Sequence, residues 1–217
     1  MKLRCSNRKN HALTLAEVLF VVAVLTILAT MILPALTGAK HGGGGSCNTN
    51  LRQIGGAYQM WAGDNNNKYP MEVSTNAGGV MELAAIGNAA AVFQVMSNEL
   101  STPRVLICPK DKTHQAATNQ SFTLTSKNIS YFVGLDAGTN FPYSFLSGDN
   151  NLEFANQAIK LGLQFMATNA MYFWSADRHN RCGNILLADG SVQAVKNTEM
   201  RTQVSQTGLA TNRLAIP

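Results

Sequence analysis

The residues with the most chemical capacity in this 217-residue chain are its cysteines, a late histidine and a few carboxylates. In "RHNRCGNILLADGSVQAV", His179 is followed, after nine intervening residues, by Asp189-Gly190. A histidine and a carboxylate can act as an acid–base pair or as metal ligands. An Asp-Gly pair between the apolar runs Asn184–Ala188 and Ser191–Val195 has a simpler meaning. It is a hairpin signature, and a type I′ turn needs positive φ at both positions. Asp189 is therefore expected to shape a turn, and His179 to hydrogen-bond near the start of the hairpin. Asp149 with Asn150 and Asn151, and Asp64 with Asn65–Asn67, carry the oxygen ligands that calcium takes. Asp149 on that ground, and Asp189 through its pairing with His179, are the metal candidates, although such Asp/Asn clusters more often form polar turns. Cys47, Cys108 and Cys182 with His179 have zinc-ligand chemistry, but no C-x-x-C spacing supports a zinc site. No Ser/His/Asp arrangement, P-loop or dinucleotide-binding glycine fingerprint is present. The chain reads as no enzyme and as needing no cofactor, calcium being the one candidate.

The elements that must carry these residues are partly visible. Leu51, Ile54, Tyr58 and Trp61 recur at helical spacing, and Asp64–Lys68 ends that helix. Glu82–Leu100 repeats the signal with Leu83, Ile86, Phe93 and Leu100, closed by Ser101-Thr102-Pro103. Arg104–Cys108, Phe122–Thr125 and Ile129–Gly134 read as short strands. Helices first and strands later predict an α+β head, residues 47–217, with a small antiparallel sheet.

The N-terminal part differs in character. Charged residues make up 13% of the chain, against roughly 25% in ordinary soluble domains. Of 17 basic residues, Lys2, Arg4, Arg8 and Lys9 precede a long apolar run, and the other 13 nearly balance the 12 acidic ones. A basic nucleic-acid surface on the head is not expected. Val18–Ala39 is uncharged and long enough to span a bilayer, which takes about 20 residues. The run is too long for a secretory signal, and Lys40 with a glycine run follows in place of a cleavage site. The basic leader predicts a cytoplasmic N-terminus and an exported head. Glu17, at the edge of the run, is out of place in a plain anchor, because a carboxylate near lipid must be paired or protonated. Pro34 predicts a kink in a helix over Leu13–Lys40, about 42 Å long. The glycines between Lys40 and Ser46 predict a break, with a linker over residues 41–46.

Ala12-Leu13-Thr14-Leu15-Ala16-Glu17 resembles the processing site of type IV prepilins and type II secretion pseudopilins. The resemblance implies cleavage by a prepilin peptidase between Ala12 and Leu13, which removes residues 1–12 and with them Cys5. It implies N-methylation of Leu13 and puts Glu17 at the fifth mature position and Pro34 at the place of a helix-kinking proline. Ala12 stands where glycine is usual, and Leu13 where phenylalanine or methionine is commoner. On this reading, residues 13–40 form a transmembrane and assembly helix. Glu17 then pairs with the new terminal amine of a neighbouring subunit. The alternative role for Glu17 is a helix-start anion favoured by the helix dipole.

The stretches "CNTNLRQIG", "WAGDNNNKYP", "LICPKD", "FLSGDNNL" and the His179…Asp189-Gly190 spacing resemble prepilin-like proteins of planctomycete- and verrucomicrobium-type bacteria. That resemblance implies a Cys47–Cys108 disulfide and leaves Cys182 a free thiol. The implied partners are the prepilin peptidase/N-methyltransferase, other pilin or pseudopilin subunits and an inner-membrane assembly platform. The implied location is the bacterial inner membrane, with a single pass and a periplasmic head. Two rival readings are a membrane-anchored binding module that never polymerises and an anchored enzyme using His179 and Asp189.

Overall fold

The computed structural model describes residues 15–25, 45–118 and 123–217. The chain divides into two units, Met1–His41 and Gly42–Pro217. In the first, residues 15–25 are helical (α1) and exposed throughout, Leu15, Leu19 and Phe20 among them. Among the described residues, no helix is long and apolar enough to cross a membrane. Ala12, Leu13 and Pro34 lie outside the described residues, as does most of the helix and linker expected from Leu13 to Ser46. Only the last two residues of the expected glycine break, Gly45 and Ser46, are described, and both are already helical.

The second unit opens with α2 (Gly45–Asp64). Leu51, Ile54, Tyr58 and Trp61 are buried while Arg52, Gln53 and Met60 are exposed, so the helix has one apolar face. Asn65 donates its side-chain amide to the Trp61 carbonyl at 2.8 Å, and Asn66 and Asn67 turn left-handed at φ 56°. Asparagine tolerates that region, so the helix stops there.

The expected helix over Glu82–Leu100 is two short ones, α3 (Met81–Ala85) and α4 (Ala89–Val95). Gly87 at φ +86° breaks the run, and a Cβ there would lie 2.1 Å from the backbone nitrogen of Leu163. Asn88 then restarts it by accepting a hydrogen bond from the Ala91 amide at 3.1 Å. Phe93 and Leu100 are buried, but Ile86 is 71% exposed and Leu83 39% exposed. A single continuous amphipathic face does not exist.

Arg104–Cys108 is not a strand. Pro103–Leu106 forms a 3-10 turn with Pro103 in its first turn and Thr102 as its cap, the placement proline favours. Residues 123–125 of the expected strand Phe122–Thr125 are irregular, and Thr125 begins the 3-10 turn Ser126–Asn128. Ile129–Gly134 contains β1 (Tyr131–Gly134). β2 (Phe145–Asp149), β3 (Leu152–Phe154), β4 (Gln157–Ala158), β5 (Gly162–Ala167) and β6 (Tyr172–Trp174) follow. The chain ends with β7 (Cys182–Leu187), β8 (Val192–Lys196), α5 (Asn197–Gln206) and β9 (Thr211–Ile216).

The strands form a six-stranded antiparallel sheet in the order β5-β9-β1-β2-β7-β8 and a second sheet in the order β4-β3-β6. The central strands β1, β2 and β7 of the large sheet are buried on both faces. Along β1, Tyr131 and Val133 enter one core and Phe132 the other; along β7, Leu186 enters the first, and Ile185 and Leu187 the second. This is the two-residue alternation of a pleated strand. The first core is closed by α2 and α4, the second by α5 through Met200 and Val204 and by Leu152, Tyr172 and Trp174 of the small sheet. Asn197 ties α5 to β6, accepting from the Trp174 amide at 2.6 Å. The head is α+β with small antiparallel sheets.

Candidate functional site

The chemistry-bearing residues separate into two places, one at each end of β7. At the far end, Leu187 to Ser191 make the hairpin turn. The Gly190 amide donates to the Leu187 carbonyl at 3.0 Å, and the Leu187 amide to the Ser191 carbonyl at 2.9 Å. Gly190 alone is left-handed, at φ +84°. The loop is therefore not the expected type I′ turn with two positive φ values but a three-residue loop with glycine in the left-handed position. Asp189 is exposed and accepts a hydrogen bond from the Ser191 amide at 2.8 Å, which fastens the turn. The strand between His179 and Asp189 spans roughly 20 Å at about 3.4 Å per residue, so the two do not share a site.

At the near end, the loop before β7 brings His179 against residues from three other segments. Cys47 lies in the first turn of α2, Cys108 follows the Pro103–Leu106 turn, and Asp149 ends β2. Cys47 and Cys108 are joined in a disulfide. His179 Nε2 lies 3.1 Å from Cys108 Sγ and 3.7 Å from Asp149 Oδ2. One donor atom from each of Cys47, Cys108, Asp149 and His179 falls within 4.8 Å of all the others. Cys182 is a free, partly buried cysteine at the start of β7 and is not among them.

Asp149 is fully buried, where a polar turn residue was expected. Its Oδ2 accepts from the Asn184 amide at 2.7 Å and from Asn184 Nδ2 at 2.9 Å, while among the described residues its Oδ1 has no hydrogen-bond partner. Burial raises its carboxyl above the ordinary value; His179, Asn184 and Arg178 pull the other way. A charge removed from water is held only by such compensation. Burial, and then the Asp149 charge, also push the Tyr131 phenol well above its usual range. Asp149 and Asp189 stand at opposite ends of the β2–β7 pair, too far apart to hold one ion. The neighbours of Asp149 are sulfur and nitrogen, the wrong donors for calcium, which takes six to eight oxygens.

The loop that carries His179 is held by its neighbour. Arg178 pairs with Asp111 Oδ2 at 2.7 Å and donates to Asn150 Oδ1 at 2.6 Å. Asp111 also accepts from the Thr113 amide at 2.8 Å and the Ser130 hydroxyl at 2.7 Å, and contacts His114 Nδ1 at 2.7 Å. Burial pushes the Asp111 carboxyl up, but the hydrogen bonds from His114, Thr113 and Ser130 outweigh it and hold it well below the usual range. The Asp111 amide returns to the Cys108 carbonyl at 2.8 Å. His179, Asn180 and Arg181 are all left-handed, at φ 51°, 52° and 63°, a conformation that persists only where the surroundings over-determine it. Sequence reasoning missed Asp111, Arg178 and Asn184. The signals present were the acidic residue after Cys108 in "CPKD" and the arginine beside His179.

The N-terminal residues are matched by the family described as the prokaryotic N-terminal methylation motif, over residues 7–33. That span contains Ala12, Leu13 and Glu17 and stops one residue before Pro34. The match supports a prepilin-type protein, in the general class of type IV pilin- and pseudopilin-like, membrane-anchored proteins. No curated protein and no solved structure matches the chain.

Proposed function

We propose that this chain is a structural subunit of a filament of the type II secretion pseudopilus or type IV pilus kind. The observation that carries the reading is the N-terminal methylation motif over residues 7–33, with its basic leader, its small residue at Ala12 and Glu17 five residues into the mature chain. A prepilin peptidase/N-methyltransferase cuts after Ala12 and methylates Leu13. The mature chain crosses the inner membrane once, with its N-terminus at the cytoplasmic side and the α+β head in the periplasm. An assembly platform then draws it into a filament with other pilin or pseudopilin subunits. The chain is a substrate of enzymes and a building part, with no catalysis of its own.

Glu17 is the assembly group. Its carboxylate lies at the edge of an apolar run, where a charge is favourable only beside a partner. Cleavage creates an α-amino group one helical turn away in sequence, and the amine of a neighbouring subunit supplies the partner. Mass spectrometry of the mature N-terminus, from cells that carry the peptidase, tests the reading. A methylated Leu13 is expected, and a chain that keeps Met1 overturns it. Glu17→Ala should then leave cleavage intact and abolish incorporation into filaments; unchanged incorporation removes the assembly role.

A further inference from the structure

We infer that Cys47, Cys108, Asp149 and His179 form a site for one zinc-class divalent cation when the two cysteines are reduced. The inference concerns the head alone and stands or falls independently of the filament reading. The donor set comprises two sulfurs, one imidazole nitrogen and one carboxylate oxygen, all from buried or nearly buried side chains. Zinc takes these donors in tetrahedral sites, whereas calcium and magnesium do not take sulfur. Metal–ligand bonds of about 2.0–2.3 Å put tetrahedral ligands roughly 3.3–3.8 Å apart. The four donor atoms already lie within 4.8 Å of one another, so the widest pair need close by only about 1 Å, while the two sulfurs, bonded to each other in the disulfide, part from about 2.0 Å to about 3.8 Å on reduction.

A disulfide alone does not account for this arrangement. It requires neither an imidazole nor a carboxylate beside it. Yet His179 is carried in on three successive left-handed residues, and its Nε2 faces both Cys108 Sγ and Asp149. Asp149 is fully buried, and among the described residues its Oδ1 makes no hydrogen bond, so that oxygen is available as a ligand. The supports usual around a metal ligand are present. Asn184 fixes the carboxylate through two hydrogen bonds, and the Arg178–Asp111 pair fixes the loop beside His179 and the segment after Cys108.

Binding to the dithiol forms two metal–thiolate bonds, with one to nitrogen and one to oxygen, and releases one proton from each thiol to solvent. No electron moves. The newly made chain, whose thiols are still reduced, is the form that binds. The disulfide and the metal are therefore alternative cross-links between α2 and the segment after the Pro103–Leu106 turn.

The test uses the full chain in detergent, reduced by a phosphine with Co²⁺ or Zn²⁺ present throughout, so that one cross-link is always available. The expected result is one Co²⁺ per chain, with thiolate-to-cobalt charge-transfer absorption and tetrahedral visible bands that added Zn²⁺ erases. The oxidised chain should show none of this. Cys182→Ser should leave the absorption unchanged, and Asn184→Ala should weaken affinity about 10–100-fold. A reduced chain that stays folded by circular dichroism and takes up no cobalt overturns the inference. So does a reduced chain that unfolds with zinc present, or uptake that survives Cys47→Ser with Cys108→Ser.

Discussion

Arg178 and Asp111 form a buried ion pair, 2.7 Å from Nη2 to Oδ2, with the Asp111 side chain fully enclosed and that of Arg178 only 9% exposed. The pair joins the loop before β7 to the segment after Cys108, and so holds the surroundings of His179 from two sides. Removing one member leaves a charge in a place from which water is excluded, which costs about 3–5 kcal/mol in buried pairs. Arg178→Ala should fall near the lower end of that range, because Ser130, Thr113 and His114 remain as partners of Asp111. Urea unfolding of the variant reads the loss. A change under about 1 kcal/mol would mean that the pair contributes no more than a surface one.

The Cys47–Cys108 disulfide closes a loop of 61 residues in sequence separation. Chain-entropy reasoning gives a stabilisation of about 4 kcal/mol for a loop of that length. With chelator present to keep metal out, reduction of the wild-type chain should lower the urea midpoint of the head by the corresponding amount. The paired variant Cys47→Ala with Cys108→Ala should match the reduced wild type. An unchanged midpoint on reduction would show that the two segments are held by packing alone.

The two halves of the His179…Asp189-Gly190 spacing should separate on mutation. Asp189 holds the turn through the Ser191 amide, a hydrogen bond with a net contribution of about 1 kcal/mol. Asp189→Ala should cost that much in thermal unfolding and leave the surroundings of His179 unchanged in NMR spectra. Gly190→Ala should cost more, because alanine is strained at φ +84° and its Cβ would lie 2.6 Å from Gln59 Nε2. Shifts in the His179 ring signals on Asp189→Ala would instead show that the two positions are coupled through β7.

What was legible in the sequence follows physical lines. The helix at Leu51, Ile54, Tyr58 and Trp61 was readable because it buries one face only. β2 and β9 were not, because both their faces enter a core and no polar alternation marks them. Arg104–Cys108 looked like a strand from its apolar residues, but Pro103 and the Thr102 cap turn it into a 3-10 turn. Asp149 was the most misleading position. Its setting in "GDNN" has the composition of a surface turn, yet it is the last residue of β2 and points inward to Asn184, its partner on a neighbouring strand. The capacity of the site lies in contacts between segments far apart in sequence, which no local spacing encodes. Cys182, three residues after His179 in sequence, lies outside the cluster, while Cys47 and Cys108, far from it, lie inside.

Acid should weaken one connection away from this site. Glu82, in the first turn of α3, accepts the Ser74 hydroxyl at 2.6 Å and the Thr75 amide at 2.8 Å. The Ser74 and Thr75 hydrogen bonds favour its ionised form and lower its pKa from the ordinary 4.5 to about 2. A carboxyl depressed in the folded state adds stability that is fully present above the unfolded value. That contribution fades as pH falls from about 4.5 through about 2. Glu82 is exposed, so solvent screens the effect and its contribution to global stability is small. The sensitive measurement is an NMR titration of the Glu82 side chain alongside the Thr75 amide. Both should report a midpoint well below those of other exposed glutamates, and Glu82→Gln should abolish the pH dependence of the Thr75 signal. A midpoint near 4.5 would show that the contact between α3 and the Thr75–Ala77 turn does not persist in solution.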